Sequence, residues 1–503
     1  MRNNYDTHPV ASQCSGSIRI MRPVRFPHSI VVLLFVLALP AACLHAQPAA
    51  PPDILFISID DLNDWVGPLD GHPQAKTPNM DRLAERGMVF TNAHSTSVLC
   101  NPARTALMTG LSTATTGVYV NQPDWRTMEI FQDIRTIPGY FQDVGYTTFG
   151  AGKLFHSSTF NAWAYYGYND TTAWDAYYPS LDRQIPDEIR PHDLPANGNP
   201  LDARVDWAPI FADDRAMGDG QVVAWSARQL LTETDGPRFD AVGIYRPHLP
   251  WYLPQKYFDL YPLDTVELPP VPVNDLDDIS EIARMQGSNF GSPMEVHQWA
   301  QEAGVWKDGV QAYLASISFA DAMLGHVLDA LEQSGRAAET IIVMWSDHGF
   351  HLGEKARWRK QTLWRESTRV PLIVVAPGVT QPGSRSNVPV SLLDLYSTLT
   401  ELAGLPTPDH VEGLSLLPLL EDPAATLERV GVVTTFGYRN HAVSSERYRY
   451  IVYSDGSEEL YDLETDPHEW TNRAADPALS AVKAELVNWL PRHNEPDART
   501  AGP

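Results

Sequence analysis

Short unbroken apolar runs that end in charged residues recur along this chain. DILFISIDDL (53–62) is the first, and it closes on two aspartates. Such a run suits a strand buried on both faces, as in parallel α/β sheets. KTPNMDRLAERGMVF (76–90) then predicts a helix, with Thr77 as its cap, Pro78 in the first helical position and Gly87 at its stop. IPGYFQDVGYTTFGAGKLFH (137–156) repeats the order of helix, stop at Gly145, strand and loop. RFDAVGIYRPHLPWY (238–252) is a strand running into a loop, and TIIVMWSDHGFHLGE (340–354) a buried strand with a polar end. DGVQAYLASISFADAMLGHVLDALEQSG (308–335) has the period of a long amphipathic helix. This alternation predicts an α/β fold: a large, doubly wound, mostly parallel sheet sandwiched by helices.

Two stretches depart from that rhythm. Residues 155–215 are dense in aromatics and proline and show no period, which marks a functional insertion. After about residue 425 the pattern turns to short alternating strands with an Asp455-Gly456 turn, then a final helix over 478–491. The division expected is a leader at 1–46, a main domain at 47–425 and a C-terminal subdomain with a small antiparallel sheet at 426–503.

The leader is expected from Arg19, Arg22 and Arg25, which precede the apolar SIVVLLFVLALPAAC and a small residue at the cut. Met21 is an alternative start. The product is expected to be exported, to the periplasm or outside the cell, and Cys43 offers a weak lipoprotein box lacking the aliphatic residue that such a box favours at Pro40. No later apolar run reads as a membrane span. The chain holds 62 acidic residues against 37 Lys and Arg, a net charge of −25. That excludes nucleic acid and anionic membranes as general partners. An anionic substrate must therefore be captured by a local cationic pocket.

In open α/β sheets, ligands sit at the carboxyl ends of the strands. Those ends here carry Asp60-Asp61, Lys153 and His156, His248, and Asp347-His348. Three clustered carboxylates cannot all stay ionised without a cation, and oxygen-rich ligation suits Ca²⁺, or less well Mg²⁺. A single Asp-Asp pair serves equally as a turn or helix cap, but a second strand ending in Asp-His weakens that reading. Arg104, Lys153, His156, His248 and Lys360 together suit a tetrahedral anion, whose oxygens need several donors. His351 reads as a structural neighbour.

Of three cysteines, two fall in the leader, which leaves Cys100 alone. A free cysteine is commonly a small buried hydrophobe. Its flank, LCNPARTALMTG (99–110), places it at a helix start beside an arginine, a setting for nucleophilic chemistry. That segment resembles the sulfatase signature C-x-P-S-R-x-x-x-(L/M)-T-G. DILFISIDDL, KTPNMDRLAERGMVF, GKLFH, YRPHLPW, SDHGFHLGE and ELYDLETDPHEWTN resemble further blocks of the type I sulfatases, in order, over nearly all of 52–495. Histidine in SDHG, where many sulfatases have asparagine, points to the branch of iduronate-2-sulfatase and its bacterial relatives.

The resemblance implies an alkaline phosphatase-like fold and a sulfuric ester hydrolase. Cys100 would be converted by a maturation enzyme to formylglycine, whose hydrate is the nucleophile. Asp60, Asp61, Asp347 and His348 match the calcium ligands, completed by residue 100. Arg104 matches the residue holding the formylglycine and the metal-site carboxylates, Lys153 and His156 contacts to sulfate and nucleophile, and His248 and Lys360 contacts to sulfate and leaving oxygen. Ala103 departs from the signature's serine, while its cysteine, proline and arginine are present. A sulfated saccharide or polysaccharide fragment is the expected substrate, with Trp163, Trp174, Tyr177 and Trp251 available to stack on sugar faces. The alternatives are a phosphate or phosphonate monoester hydrolase of the same superfamily and a catalytically silent carbohydrate-binding relative.

Overall fold

The computed structural model describes residues 51–161, 164–286 and 293–499, so the leader and Trp163 lie outside the described residues. The main sheet comprises β1 (Asp53–Ile59), β2 (Met88–Phe90), β3 (Thr147–Gly152), β4 (Ala176–Tyr178), β5 (Arg238–Ile244), β6 (Thr340–Ser346), β7 (Leu372–Val375) and β8 (Ser384–Ser386). Their spatial order is β8-β2-β7-β6-β1-β5-β3-β4. Strands β6, β1, β5, β3 and β4 run parallel. Strand β7 runs against both β6 and β2, so the sheet is mixed at one side and parallel where the polar strand ends gather.

Helices α1 (Pro78–Arg86), α2 (Cys100–Thr109), α3 (Ile137–Asp143), α4 (Gly218–Leu230), α5 (Trp306–Gln333) and α6 (Leu395–Leu402) cover the two faces. Alternate residues of a strand point to opposite faces, and β1 divides accordingly. Leu55, Ile57 and Ile59 enter one core with α1, α4 and α5, whereas Ile54 and Phe56 enter the other with α2, α3 and α6. This is why DILFISI is apolar throughout.

Four expectations need correction, the last of them at the C-terminus. Thr77 occupies the cap position of α1, but its hydroxyl accepts from Gly67 N (2.8 Å). The cap is instead the Asp321 carboxylate of α5, which accepts from the backbone amides of Asn79 and Met80 at 3.1 and 2.8 Å. Helix α5 is long and apolar enough to cross a membrane by length and composition, contrary to the expectation of no such run. Its most apolar stretch is 83% buried in the fold, so the apolarity belongs to the core. Trp174, Tyr177 and Trp251 are 6%, 8% and 0% exposed, so they pack inside and offer no face to a sugar.

The aperiodic stretch forms a hairpin (Ser157–Asn161 with Ala164–Gly167), the edge strand β4, and loops that reach the strand ends. At the C-terminus, β9 (Val432–Thr435), β10 (His441–Ser444), β11 (Tyr448–Val452) and β12 (Glu458–Asp462) form the expected antiparallel sheet. Gly456 makes its tight turn in the left-handed region (φ +87°). Helix α7 (Ser480–Val487) is shorter than expected, because Pro477–Leu479 forms a separate 3₁₀ turn.

One glycine positions the site directly. A Cβ at Gly243, in β5, would lie 2.2 Å from the Lys153 carbonyl carbon. Only a glycine lets β3 and β5 approach this closely where Lys153 leaves the sheet. Gly243→Ala is therefore expected to destabilise by about 1–3 kcal/mol through overpacking. Gly236→Ala, which meets nothing within 4 Å, should stay within about 0.5 kcal/mol of the parent. Denaturant midpoints of the two variants make the comparison, and equal midpoints would refute the steric argument.

Candidate active site

Strands β1, β3, β5 and β6 are neighbours and parallel, so their carboxyl ends meet at one edge. Asp60 and Asp61 follow β1, Lys153 and His156 follow β3, His248 follows β5, and Asp347 and His348 follow β6. Helix α2 begins at Cys100 and aims its N-terminus into this group. Asp61 turns in the left-handed region (φ +59°), which sets consecutive carboxylates in different directions.

Arg104, fully buried, ties the strand ends together. Its Nε donates to Asp347 Oδ2 at 2.9 Å and one terminal nitrogen to Asp60 Oδ1 at 3.0 Å. The other donates to the carbonyls of Lys153 and Leu154 at 2.6 and 2.9 Å. Lys153 Nζ pairs with Asp60 and lies 3.7 Å from Cys100 Sγ. Lys360 Nζ donates to both oxygens of Asp61 at 2.6 Å. His348 Nε2 lies 3.4 Å from Cys100 Sγ and 3.5 Å from Asp61 Oδ1. His248 Nε2 is 4.0 Å from Asp61 Oδ2, and its Nδ1 faces the Leu249 carbonyl at 2.6 Å. His156 Nε2 meets the Tyr166 hydroxyl at 3.3 Å. All the site residues expected from the sequence thus converge, while His351 bonds Thr362 away from the cluster.

Among the described residues, two donor groups each close within 4.8 Å: Asp60, Asp61, Cys100 and His248, and Cys100, Asp347 and His348. The three carboxylates suit a hard divalent cation. A thiol does not, because sulfur prefers softer metals. An oxygen at position 100 would complete the set.

The sulfatase family model matches residues 52–405, and that described as N-sulphoglucosamine sulphohydrolase, C-terminal, matches 353–495. The chain belongs to the sulfatase family. It is a type I sulfatase of the alkaline phosphatase superfamily, a sulfuric ester hydrolase. A sulfatase of Formosa agariphila is 38% identical over 457 residues, covering 88% of this chain and 87% of the relative. Iduronate 2-sulfatase of Mus musculus is 31% identical over 418 residues, covering 76% and 74%. Two solved structures share the fold at 22% and 21% identity. One, in complex with its substrate D-glucosamine-2-N,6-O-disulfate, has a TM-score of 0.67 over 88% of this chain and 97% of the other. The phosphonate monoester hydrolase of Agrobacterium radiobacter has a TM-score of 0.68 over 87% and 94%.

The sulfatase site is dry and charged, and its protonation follows from that. Burial opposes ionisation of the Cys100 thiol, but Lys153 and Lys360 outweigh it and bring the pKa below the usual thiol value. Burial also opposes charge on His348, yet Asp347, the thiol and Asp61 hold it at about 9. Burial lifts Asp61 to about 6 against the pull of Lys360. His248 and His156 are driven well below the ordinary histidine value by burial, with Lys153 adding to it. Both are therefore neutral imidazoles at neutral pH.

Sequence reasoning missed the pocket wall of this sulfatase. Tyr245 lies under Lys153 (5.1 Å) and beside the His248 ring (4.7 Å). Tyr166, Tyr252, Arg190, Arg204 and Arg359 line the same pocket. Tyr245 opens YRPHLPW, Tyr252 follows it and Arg359 precedes Lys360, whereas Tyr166, Arg190 and Arg204 lie in the aperiodic stretch, which carries no signal.

Breaking a buried ion pair from one side costs about 3–5 kcal/mol, because the remaining charge stays uncompensated. Arg104→Ala removes the hydrogen-bonded cation shared by Asp60 and Asp347, leaving Asp60 only Lys153, and is expected to lower metal-free stability by about that much. Chemical unfolding measures it, and an unshifted midpoint would show that Arg104 does not hold the strand ends.

Proposed function

We propose that this sulfatase removes a sulfate ester from a sulfated saccharide, as an iduronate-2-sulfatase-like enzyme, with formylglycine made from Cys100 as nucleophile and calcium as its metal. The observation that carries the reading is the position of Cys100. It is 1% exposed, at a helix start, between Lys153 and His348, in a donor set that calls for oxygen there. Asp60, Asp61, Asp347, His348 and residue 100 would hold the cation, which when bound draws charge from the sulfate oxygens. The larger, irregular oxygen set favours Ca²⁺ over Mg²⁺. Protonation of His348 competes with metal binding. The aldehyde hydrate supplies one hydroxyl to accept the sulfuryl group and a second to release it. A maturation enzyme is the implied partner, acting on the exported chain whose leader is residues 1–46.

The remaining residues act on substrate. Lys153 is fixed by Asp60 beside residue 100, where it stabilises negative charge on nucleophile and sulfate. Lys360 does the same from the Asp61 side. His248 has one-fifth of its side chain open to the pocket. Its Nδ1–H donates to Leu249, so the neutral ring presents the Nε2 lone pair. Donation to a departing alcohol requires a proton on Nε2, which the arriving sulfate charge favours.

Mass measurement of the peptide containing residue 100 should show loss of the sulfur of a thiol and gain of an aldehyde oxygen. Cys100→Ser should leave a sulfated, stalled or inactive enzyme, since serine can accept the group but has no second hydroxyl to expel it. Multiple turnover by Cys100→Ser at the parent rate would remove the proposed role. An unconverted thiol in a protein without turnover would favour the silent relative, and preference for paired aryl phosphates over aryl sulfates the phosphate hydrolase.

His248→Ala is expected to lose about 10²–10⁴-fold on a sugar sulfate, and distinctly less on an activated aryl sulfate whose leaving group needs no proton. Steady-state rates on both substrates decide. Equal losses for His248→Ala, with a selective loss for Lys360→Ala, would transfer the proton to Lys360.

A further inference from the structure

Tyr245 opens the loop that carries His248, and the chemistry described so far gives it no role. Where β5 ends, the chain presents two successive backbone amides. The Asp219 carboxylate, 2% exposed in the first turn of α4, accepts from both, Tyr245 at 2.5 Å and Arg246 at 3.2 Å. A helix on the sheet's face thus fixes the point at which the loop departs. The loop then turns at once, since the His248 amide donates to the Tyr245 carbonyl at 2.9 Å. That turn sets the two side chains next to each other, with ring centroids 4.7 Å apart.

Two cations hold the Tyr245 ring. Lys153 Nζ lies 5.1 Å from its centroid and the Arg246 guanidinium 5.2 Å. An aromatic face attracts both. Each cation is itself anchored, Lys153 on Asp60 and Arg246 on Glu188. The ring cannot swing away from His248 without losing these contacts.

The Leu249 carbonyl oxygen joins the two residues. It accepts from the Tyr245 hydroxyl at 3.1 Å and faces His248 Nδ1 at 2.6 Å. A carbonyl oxygen has two lone pairs, and two side chains of one short loop fill them. A carbonyl only accepts, so its imidazole partner is Nδ1–H, and Nε2 is left for the site. Burial lifts the Tyr245 hydroxyl above its usual value, against the pull of Lys153 and Arg246, so it stays a donor. Rotation of the imidazole about its Cβ–Cγ bond would exchange each nitrogen with a carbon. Nε2 would then leave the side of Asp61, from which it is 4.0 Å away. A fixed carbonyl on Nδ1 and a fixed ring beside the imidazole oppose that rotation.

We propose that Tyr245 is a positioning residue for His248: its hydroxyl fixes the Leu249 carbonyl and its ring backs the imidazole, so that Nε2 meets the departing alcohol in one orientation. This rests on the reading of His248 as proton donor and adds what holds that donor in place.

The test is a double-mutant cycle on the mature enzyme, with kcat read on a saccharide sulfate and on an activated aryl sulfate. Tyr245→Phe keeps the ring and removes only the hydroxyl. On the saccharide sulfate it is expected to lose about three- to tenfold in kcat, the worth of one hydrogen bond, with KM little changed. On the aryl sulfate, whose leaving group needs no proton, it should lose distinctly less. Added to His248→Ala, Tyr245→Phe should cost no more than about twofold, because the group it positions is gone. Nitrogen NMR shifts of the His248 ring, assigned by their absence in His248→Ala, read the orientation directly. They should show Nδ1–H in the unaltered protein and mixed tautomers in Tyr245→Phe. Equal losses for Tyr245→Phe on the two substrates, full additivity in the double variant, or an Nε2–H tautomer in the unaltered protein overturns the role of Tyr245. The last observation needs no variant, so it decides if Tyr245→Phe misfolds. A selective loss for His248→Ala with none for Tyr245→Phe removes the positioning role and leaves the donor standing. Equal losses for His248→Ala on both substrates overturn the donor reading, and this proposal with it.

Discussion

The buried Arg104 guanidinium is the constraint on which the site depends. It donates to carboxylates that end two different strands and to carbonyls that end a third. Three strand termini are thereby fixed relative to the first turn of α2, where Cys100 sits. Without a cation at that point, Asp60 and Asp347 would face each other across a dry space with only Lys153 and His348 to offset them. The rigid, always-charged fork of arginine does what a lysine's single point charge could not.

The rest of the site follows from the same electrostatic problem. Asp60 is answered by Arg104 and Lys153, Asp347 by Arg104, and Asp61 by Lys360, with His348 held protonated beside them. A divalent ion bound there would make the centre more positive, the condition for holding an anion inside an acidic protein. Residue 100 stands where the field of Lys153, the helix N-terminus and the carboxylate cluster overlap. Burial keeps His156 and His248 neutral beside these cations.

The long stretch without period also has a physical explanation. Among the described residues, its loops bury no repeating apolar face, and the sequence there carries neither the helical nor the strand period. They are held by individual polar contacts instead, such as Glu188 with Arg246 and Asp206 with the amides of Ala196 and Asn197 (2.7 and 2.8 Å). Those contacts place Tyr166, Arg190 and Arg204 over the cluster, and so form the pocket wall.

The apolar runs and their polar ends determined a good deal without coordinates. A strand buried on both faces must be apolar throughout, so DILFISI and TIIVMWS were legible, and parallel order brings their ends to one edge. Asp60, Asp61, Lys153, His248, Asp347 and His348 were readable for that reason, and Cys100 and Arg104 from the short motif at 99–110. Tertiary structure alone decided what depends on distant partners. Asp321 caps α1 in place of Thr77, because the carboxylate arrives from a helix more than two hundred residues away. Trp174, Tyr177 and Trp251 went to the core, since an aromatic residue is equally fit for a sugar face or for packing. Arg359 faces the pocket beside Lys360 only because its backbone is turned to φ +77°, a choice that local pattern does not encode and surrounding contacts enforce.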